Sequence, residues 1–291
     1  MFRPLIVSLL ALWLVACGQP KETTPVFTFT AIPDQDEARL VERFSRVADY
    51  LSEQLGVEVK YVPVKSYAAA VTAFRNNEVQ LAWFGGLSGV QARLQVPDSR
   101  AIAQGYEDQF FVSYFIAHAD SGVEAGDTLT DALAGKRFTF GSKGSTSGRL
   151  MPEFFLREHF GKAPEELFSR VGFSGDHSAT IALVQSGAWD VGAVNYKVWE
   201  DELAQGTIDP EKVRVIWKTP AYLDYHWVIR GDVDSVWGEG FADKVQATLL
   251  AIEDRAILDA FPREKFVAAS NDDYQAILDT AAAIGLLDPA Q

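Results

Sequence analysis

Residues 141–152 read Gly-Ser-Lys-Gly-Ser-Thr-Ser-Gly-Arg-Leu-Met-Pro. The four residues before them, Arg137-Phe138-Thr139-Phe140, have the pattern of a short strand, and Arg149 to Phe160 that of a helix. A helix starting between Ser145 and Gly148 leaves its first N–H groups without intrahelical acceptors. The hydroxyls of Ser145, Thr146 and Ser147 would converge with those N–H groups on one point, a natural seat for a small anion. A lone Ser or Thr there would be read as a helix cap; three in a row behind a Gly-rich turn exceed what capping requires.

Outward from this strand-loop-helix unit, strands and helices alternate, which predicts α/β architecture with mainly parallel sheets. Val26 to Ile32 is a strand, and Leu40, Phe44, Val47, Ala48, Leu51 and Leu55 form the apolar stripe of a helix that Gly56 ends. Val57 to Val64 is a strand, Tyr67 to Asn76 a helix capped by Ser66, and Val79 to Phe84 a strand that stops at Gly85-Gly86. The second half repeats the order: Arg137 to Phe140, a helix to Phe160, Arg170 to Phe173, a helix from Ser178 to Ser186, and Val191 to Val194. The stretch from Ser66 to Trp83 echoes that from Asp176 to Val194, so Tyr67 and His177 stand at matching helix starts. Phe110 to His118 and Val213 to Arg230 are expected to cross between two lobes, with Gly238 to Leu250 and Asn271 to Ile284 packing back on the first. The expected division is 26–115 plus 220–291 for lobe 1 and 116–219 for lobe 2.

The N-terminus has one Arg, an apolar run from Leu5 to Val15, and then Leu14-Val15-Ala16-Cys17, the pattern of a secretory signal (1–16) with a lipidated cysteine behind it. Cys17 is the single cysteine of 291 residues, so no internal disulfide can form. Residues 17–25 make a polar linker between this anchor and the globular body. Without residues 1–16 the chain has 25 Lys and Arg against 40 Asp and Glu, a formal charge of −15. That balance argues against nucleic acid as a partner. Anion binding survives it, because distant carboxylates are screened beyond about 8 Å while local N–H dipoles in a closed cleft are not.

Other chemistries fit poorly. Ser145, His177 and Asp190 supply the residue types of a hydrolase triad, but Thr146 sits at the centre of Gly144-Ser-Thr-Ser-Gly148 where a nucleophile elbow needs serine. A serine hydrolase using Ser145 or Ser147 is the alternative from another class, and a sensory lipoprotein is a third. No phosphate-binding Gly-Lys-Ser/Thr motif or dinucleotide fingerprint is present, and His118, His159, His177 and His226 are scattered, so neither cofactor nor metal is expected. His159 reads as a solvated helix end, and His118 and His226 as hinge or core residues. For the anion, the His177 ring and the Tyr67 hydroxyl could donate from two lobes, and Gly85 and Gly86 permit close backbone approach. Lys65, Lys143 and Arg149 flank the region in sequence.

The segments Ser145-Thr-Ser-Gly148, Tyr67 at its helix start, Gly175-Asp-His177 and Leu81-Ala-Trp-Phe-Gly-Gly86 resemble the phosphate/phosphite/phosphonate-type substrate-binding proteins of ABC importers. The resemblance spans about Val26 to Leu287. Through Ala31-Ile-Pro-Asp34, Ala82-Trp-Phe-Gly-Gly86 and Tyr222 to Arg230 it leans to the selenate-binding branch. It implies a type II periplasmic-binding-protein fold whose two lobes hinge shut on the ligand. It also implies that Tyr67, Ser145, Thr146, Ser147 and His177 hold the anionic head group. Asn195 falls where relatives that grip an ammonium use an acid, which favours a compact oxyanion: selenate, phosphite, sulfate or a small phosphonate. Asp224 would be a further polar contact, and Tyr225, with Trp83, Phe84, Tyr222 and Trp227, would line the cleft. The implied partners are an ABC permease and ATPase, with the protein itself monomeric, periplasmic and held to the membrane through Cys17.

Overall fold

The structure is a computed structural model that describes residues 25–287. The expected signal segment, Cys17 and nearly all of the linker lie outside the described residues.

The chain begins with β1 (Phe27–Ala31), α1 (Glu37–Leu55), β2 (Val59–Tyr61), α2 (Tyr67–Arg75), β3 (Leu81–Phe84), α3 (Gly86–Gln95) and β4 (Arg100–Gly105). It then enters a second sheet through β5 (Ser113–His118), β6 (Arg137–Phe140), α4 (Met151–Phe160), α5 (Pro164–Leu167), β7 (Arg170–Phe173), α6 (His177–Gln185), β8 (Val191–Asn195), α7 (Tyr196–Ala204) and β9 (Val213–Lys218). It returns with β10 (His226–Ile229), α8 (Asp234–Trp237), α9 (Phe241–Leu250), α10 (Arg255–Ala260), β11 (Phe266–Ala268) and α11 (Gln275–Ala283). The first sheet has the order β11-β4-β10-β3-β1-β2 and the second β7-β6-β8-β5-β9.

Each sheet pairs in parallel where strands alternate with helices: β1 with β2 and β3, and β6 with β7 and β8. The strands that cross between lobes run antiparallel to these neighbours, β10 against β3 and β4, and β5 against β8 and β9. The sheets are therefore mixed, which corrects the mainly parallel expectation: a strand arriving from the other lobe need not run the way a βαβ crossover dictates. The expected boundary at 115/116 falls inside β5, which runs in the second sheet from Ser113. The stretch from Val213 to Arg230 is two strands in two sheets.

The stripe of α1 is buried at all six expected positions, its Asp36 carboxylate caps Ala38 and Arg39 N–H, and Gly56 closes it at φ 73°. Burial of such a stripe stabilises by roughly 1.5–3 kcal/mol per large apolar side chain. The internal echo is structural: α2 and α6 start at Tyr67 and His177, and each is capped from the preceding residue, Ser66 on Ala69 N and Asp176 on Ala179 N. Helices α9 and α11 pack into the first lobe's core through Val245, Leu249, Ile277 and Ala281. The second sheet has apolar clusters of its own, one around Phe138 and Phe140 and one around Ile181 and Val198.

Where the chain crosses, the two passes are tied side by side. Phe111 and Tyr222 exchange backbone hydrogen bonds of 2.9 Å each, and Ser113 N donates to Thr219 Oγ1 at 2.9 Å. These two crossing segments, bridged at Phe111 and Tyr222, form the hinge, and the loop after β6 hangs from it.

Candidate functional site

Beyond β6 the chain makes a widened first turn before α4. Leu150 N reaches back to Ser145 O at 3.0 Å, and Met151 N to Thr146 O, both spanning five residues. This corrects the expected regular helix start and has a purpose in the geometry, because it leaves the head of the helix splayed around residues 145–148. Ser145 Oγ accepts from Gly148 N at 2.9 Å, and Ser113 Oγ donates to Ser147 O at 2.7 Å, pinning the loop to the hinge. The two glycines stand in tight places: a Cβ on Gly144 would lie 3.2 Å from Tyr67 Cβ, and one on Gly148 3.0 Å from His177 Cε1 and from Ser145 Oγ, so the neighbours would have to give by a few tenths of an ångström. Tyr67 and His177 thus press directly on the loop from two sides, as the sequence echo suggested.

Four polar atoms around this loop are buried without a well-formed hydrogen bond, Tyr67 hydroxyl, Ser147 Oγ, His177 Nε2 and Asp224 Oδ2, although Ser145 lies beside the Tyr67 hydroxyl and the Thr146 and Ser147 hydroxyls beside the Asp224 carboxyl. Leaving a buried polar group unpaired costs about 1–3 kcal/mol each, so four converging on one loop single it out as the candidate site. The chemistry of each is fixed by its other contacts. His177 Nδ1 accepts from Asn195 N at 3.2 Å, which assigns the ring proton to Nε2. Burial pushes the His177 pKa down to about 4, so the ring is a neutral donor at neutral pH. Burial also pushes the Asp224 carboxyl up to about 7, against the lowering effect of the Gly86 N–H on Oδ1 at 3.0 Å. Thr146 Oγ1 accepts from Leu87 N at 3.0 Å, joining the second lobe's loop to the head of α3 in the first. A Cβ on Gly85 would sit 3.0 Å from Asp224 Oδ1 and 3.1 Å from Thr146 Oγ1, so glycine is what lets these two approach.

Asn195 and Tyr225 are placed differently from the other expected site residues. Tyr225 hydroxyl donates to Asp34 Oδ2 at 2.8 Å and accepts from Asn195 Nδ2 at 3.0 Å. Asn195 Oδ1 caps α7, accepting from Lys197 N at 2.7 Å. Together with His177 N donating to Asp34 O at 3.0 Å, they form a strap between the lobes. Asp34, its central member, was missed as a functional residue although it follows β1 directly; a carboxylate that is only 5 % exposed at a strand's end is a signal only once its burial is known.

The remaining expectations resolve as follows. Trp83 stacks on Tyr225 at 5.6 Å, whereas Phe84 and Trp227 pack into the core against Phe74 and Phe29. Tyr222 hydroxyl is paired with Ser113 Oγ at the hinge. His226 stacks on Tyr274, and His118 caps the N–H of Asp120. Lys65 pairs with Glu37, Arg149 with Glu153, and Lys143 lies over Phe173, so none adds its charge to the donor ring. Asp190 is bound to Arg137 and no carboxylate orients His177, so Ser145, His177 and Asp190 do not assemble into a triad. Among the described residues no group of three or more metal-ligating side chains occurs, and no helix is long and apolar enough to cross a membrane.

Comparison with known proteins gives the family. Residues 29–274 match the model of the family described as ABC transporter, phosphonate, periplasmic substrate-binding protein. The probable ABC transporter phosphite binding protein PhnD1 of Prochlorococcus marinus (strain MIT 9301) is 44% identical over 254 residues, covering 85% of this chain and 86% of the relative. A solved structure of PhnD1 from the same strain, in complex with methylphosphonate, superposes with a TM-score of 0.85 at 42% identity, covering 90% of this chain and 98% of that one. A binding protein component of an ABC phosphonate transporter from Pseudomonas aeruginosa shares the fold, with a TM-score of 0.79 at 24% identity over 91% of this chain and 88% of the other. The chain belongs to the phosphonate periplasmic substrate-binding proteins of ABC transporters.

Proposed function

We propose that this protein captures a small phosphonate or phosphite between its lobes, using Tyr67, Ser145, Thr146, Ser147, His177 and Asp224, and passes it to the importer. Family membership makes it the periplasmic substrate-binding component that serves a permease and its ATPase; the ligand, its contacts, the lipid anchor on Cys17 and a monomeric state are parts of the proposal. Phosphite and methylphosphonate are the ligands that the names of the similar proteins carry.

The observation that carries the reading is Asp224. A carboxylate beside an oxyanion repels it unless one proton lies between them. Here the carboxyl is tuned to about pH 7 with Oδ2 unpaired. A phosphonate or phosphite near neutrality either retains an acidic proton or is ready to take one; sulfate and selenate retain none. Phosphonate and phosphite can share a proton that comes from either partner, whereas sulfate and selenate depend on the proton of Asp224 alone, and this favours the two protonatable oxyanions among the four expected from sequence. Donors are neutral throughout, so each hydrogen bond to the anion is charge-assisted and contributes about 1.5–3 kcal/mol. A handful suffices for the roughly 8 kcal/mol of micromolar binding.

Isothermal titration of the protein lacking residues 1–17 against methylphosphonate, phosphite, phosphate, sulfate and selenate at pH 7 tests this. Methylphosphonate or phosphite should bind at micromolar Kd or tighter, and sulfate and selenate at least about a hundredfold more weakly, the equivalent of roughly 2.7 kcal/mol. Equal affinity for sulfate would refute it.

A further inference from the structure

Asn195 and Tyr225, the side chains of the strap, also wall a second cavity of about 20 Å³. Both lobes contribute: Asp34, Arg43 and Arg263 from the first, Asn195, Lys197 and Asp201 from the second. It shares Gln35, Arg43 and Asp201 with a neighbouring surface groove that also holds Arg39, Glu42, Arg46 and Asp259.

Most charges on this surface are matched. Arg39 pairs with Asp201 at 3.0 Å, Arg46 with Glu42 at 2.7 Å, Arg263 with the buried Asp108 at 2.6 Å, and Asp259 with Arg255. Among the described residues, Arg43 and Lys197 have no carboxylate within 4.0 Å. The Arg43 guanidinium lies over the rings of Phe44 and Phe261 at 5.9 and 5.5 Å. With the Gln35 amide turned so that its oxygen faces Arg43, that oxygen accepts at 2.9 and 3.2 Å, while Nε is sealed from solvent with no partner. Lys197 Nζ rests over the Tyr196 ring at 5.1 Å. Two carboxylates line the cavity: Asp201 is taken by Arg39, and Asp34 Oδ2 accepts from the Tyr225 hydroxyl. The cavity is left with an excess of one positive charge beside aromatic walls, where an unpaired charge is costly. Its volume suits one water or one ion of similar size, and the charge decides between them.

We infer that this cavity is a second anion site, for a single small monovalent anion of chloride size, held by Arg43 and Lys197 at the seam of the closed lobes. Because one wall belongs to each lobe, the full set of contacts exists only when the lobes are together. The small anion and the main ligand favour the same arrangement, so each raises the affinity for the other by the same factor. The site stands on its own residues; its effect on capture rests on the function proposed above.

The test replaces chloride by gluconate at constant ionic strength and measures methylphosphonate affinity, alongside crystals grown in bromide. Affinity should be at least about fivefold higher in roughly 0.15 M chloride. That dependence should vanish in Arg43→Met and persist in Arg46→Gln, and an anomalous bromide peak should lie beside Arg43. Lys197→Gln, a change at the cavity's edge, carries the test if Arg43→Met fails to fold. No bromide peak together with chloride-indifferent affinity in the parent overturns the inference, leaving a water in the cavity. A parent that binds no methylphosphonate defeats the reading of the main site, and the bromide peak then still decides this one.

Discussion

At the residue scale the site is a contrast between two titratable groups moved in opposite directions by the same burial. His177 is held neutral as a donor, with its pKa near 4, and Asp224 is made easy to protonate, with its own near 7. The second shift has a consequence for stability without ligand. The folded pKa of Asp224 lies above the ordinary 3.8, so its favourable contribution is complete below pH 3.8 and is lost as pH rises through 7. Asp224→Asn removes that loss. In buffer free of phosphate and sulfate, the variant should gain stability over the parent progressively from about pH 4 to 7, reaching the order of 4 kcal/mol. Chemical denaturation at several pH values measures it; a difference that does not grow with pH would mean that the carboxyl is not held in this way. The proposed donor residues stand out in the sequence because each has a local signal: three hydroxyls behind a Gly-rich turn, and Tyr67 and His177 each at a capped helix start.

At the element scale, closure is carried by a few bonds between structures far apart in sequence. Leu87 at the head of α3 meets Thr146, and the strap runs from the end of β1 to the ends of β8 and β10. Tyr225→Phe keeps the ring that stacks on Trp83 and deletes the hydroxyl that joins Asp34 to Asn195. It should raise the dissociation rate of methylphosphonate about tenfold, as expected for loss of roughly 1–1.5 kcal/mol, with little change in association. Stopped-flow measurement showing an unchanged dissociation rate would remove the strap from the account. Such contacts were not legible in the sequence, since Asp34 and Tyr225 are 191 residues apart and meet only after both crossings are in place. Nor was α3: Gly85-Gly86 reads as a stop, and the helix that follows buries Leu87, Ser88, Gly89, Val90 and Ala92, too many positions to leave an amphipathic signature. The stripe of α1 and the repeated α2 and α6 were plain, because one face of each meets solvent.

For the whole molecule, a chain with net charge −14 repels anions at long range, so the proposed capture depends on short-range donors from both lobes. The fold was legible from the alternation of strands and helices and from their internal echo, while the antiparallel crossing strands follow from the hinge and have no sequence signature of their own. If Cys17 is the anchor, Cys17→Ser should move the protein from the membrane fraction to the soluble periplasmic fraction without altering ligand affinity in solution. Retention of the variant in membranes would assign the attachment elsewhere.

The central claim is that one proton is shared between Asp224 and the captured oxyanion. It is tested most directly by the affinity for methylphosphonate from pH 6 to 9, in the parent and in Asp224→Asn. The parent should lose about tenfold in affinity per pH unit once pH exceeds both the Asp224 value near 7 and the ligand's second ionisation. The variant should lack the Asp224 part of that fall and gain affinity for sulfate. A parent affinity that stays flat to pH 9, or an Asp224→Asn profile identical to the parent's, would contradict the account.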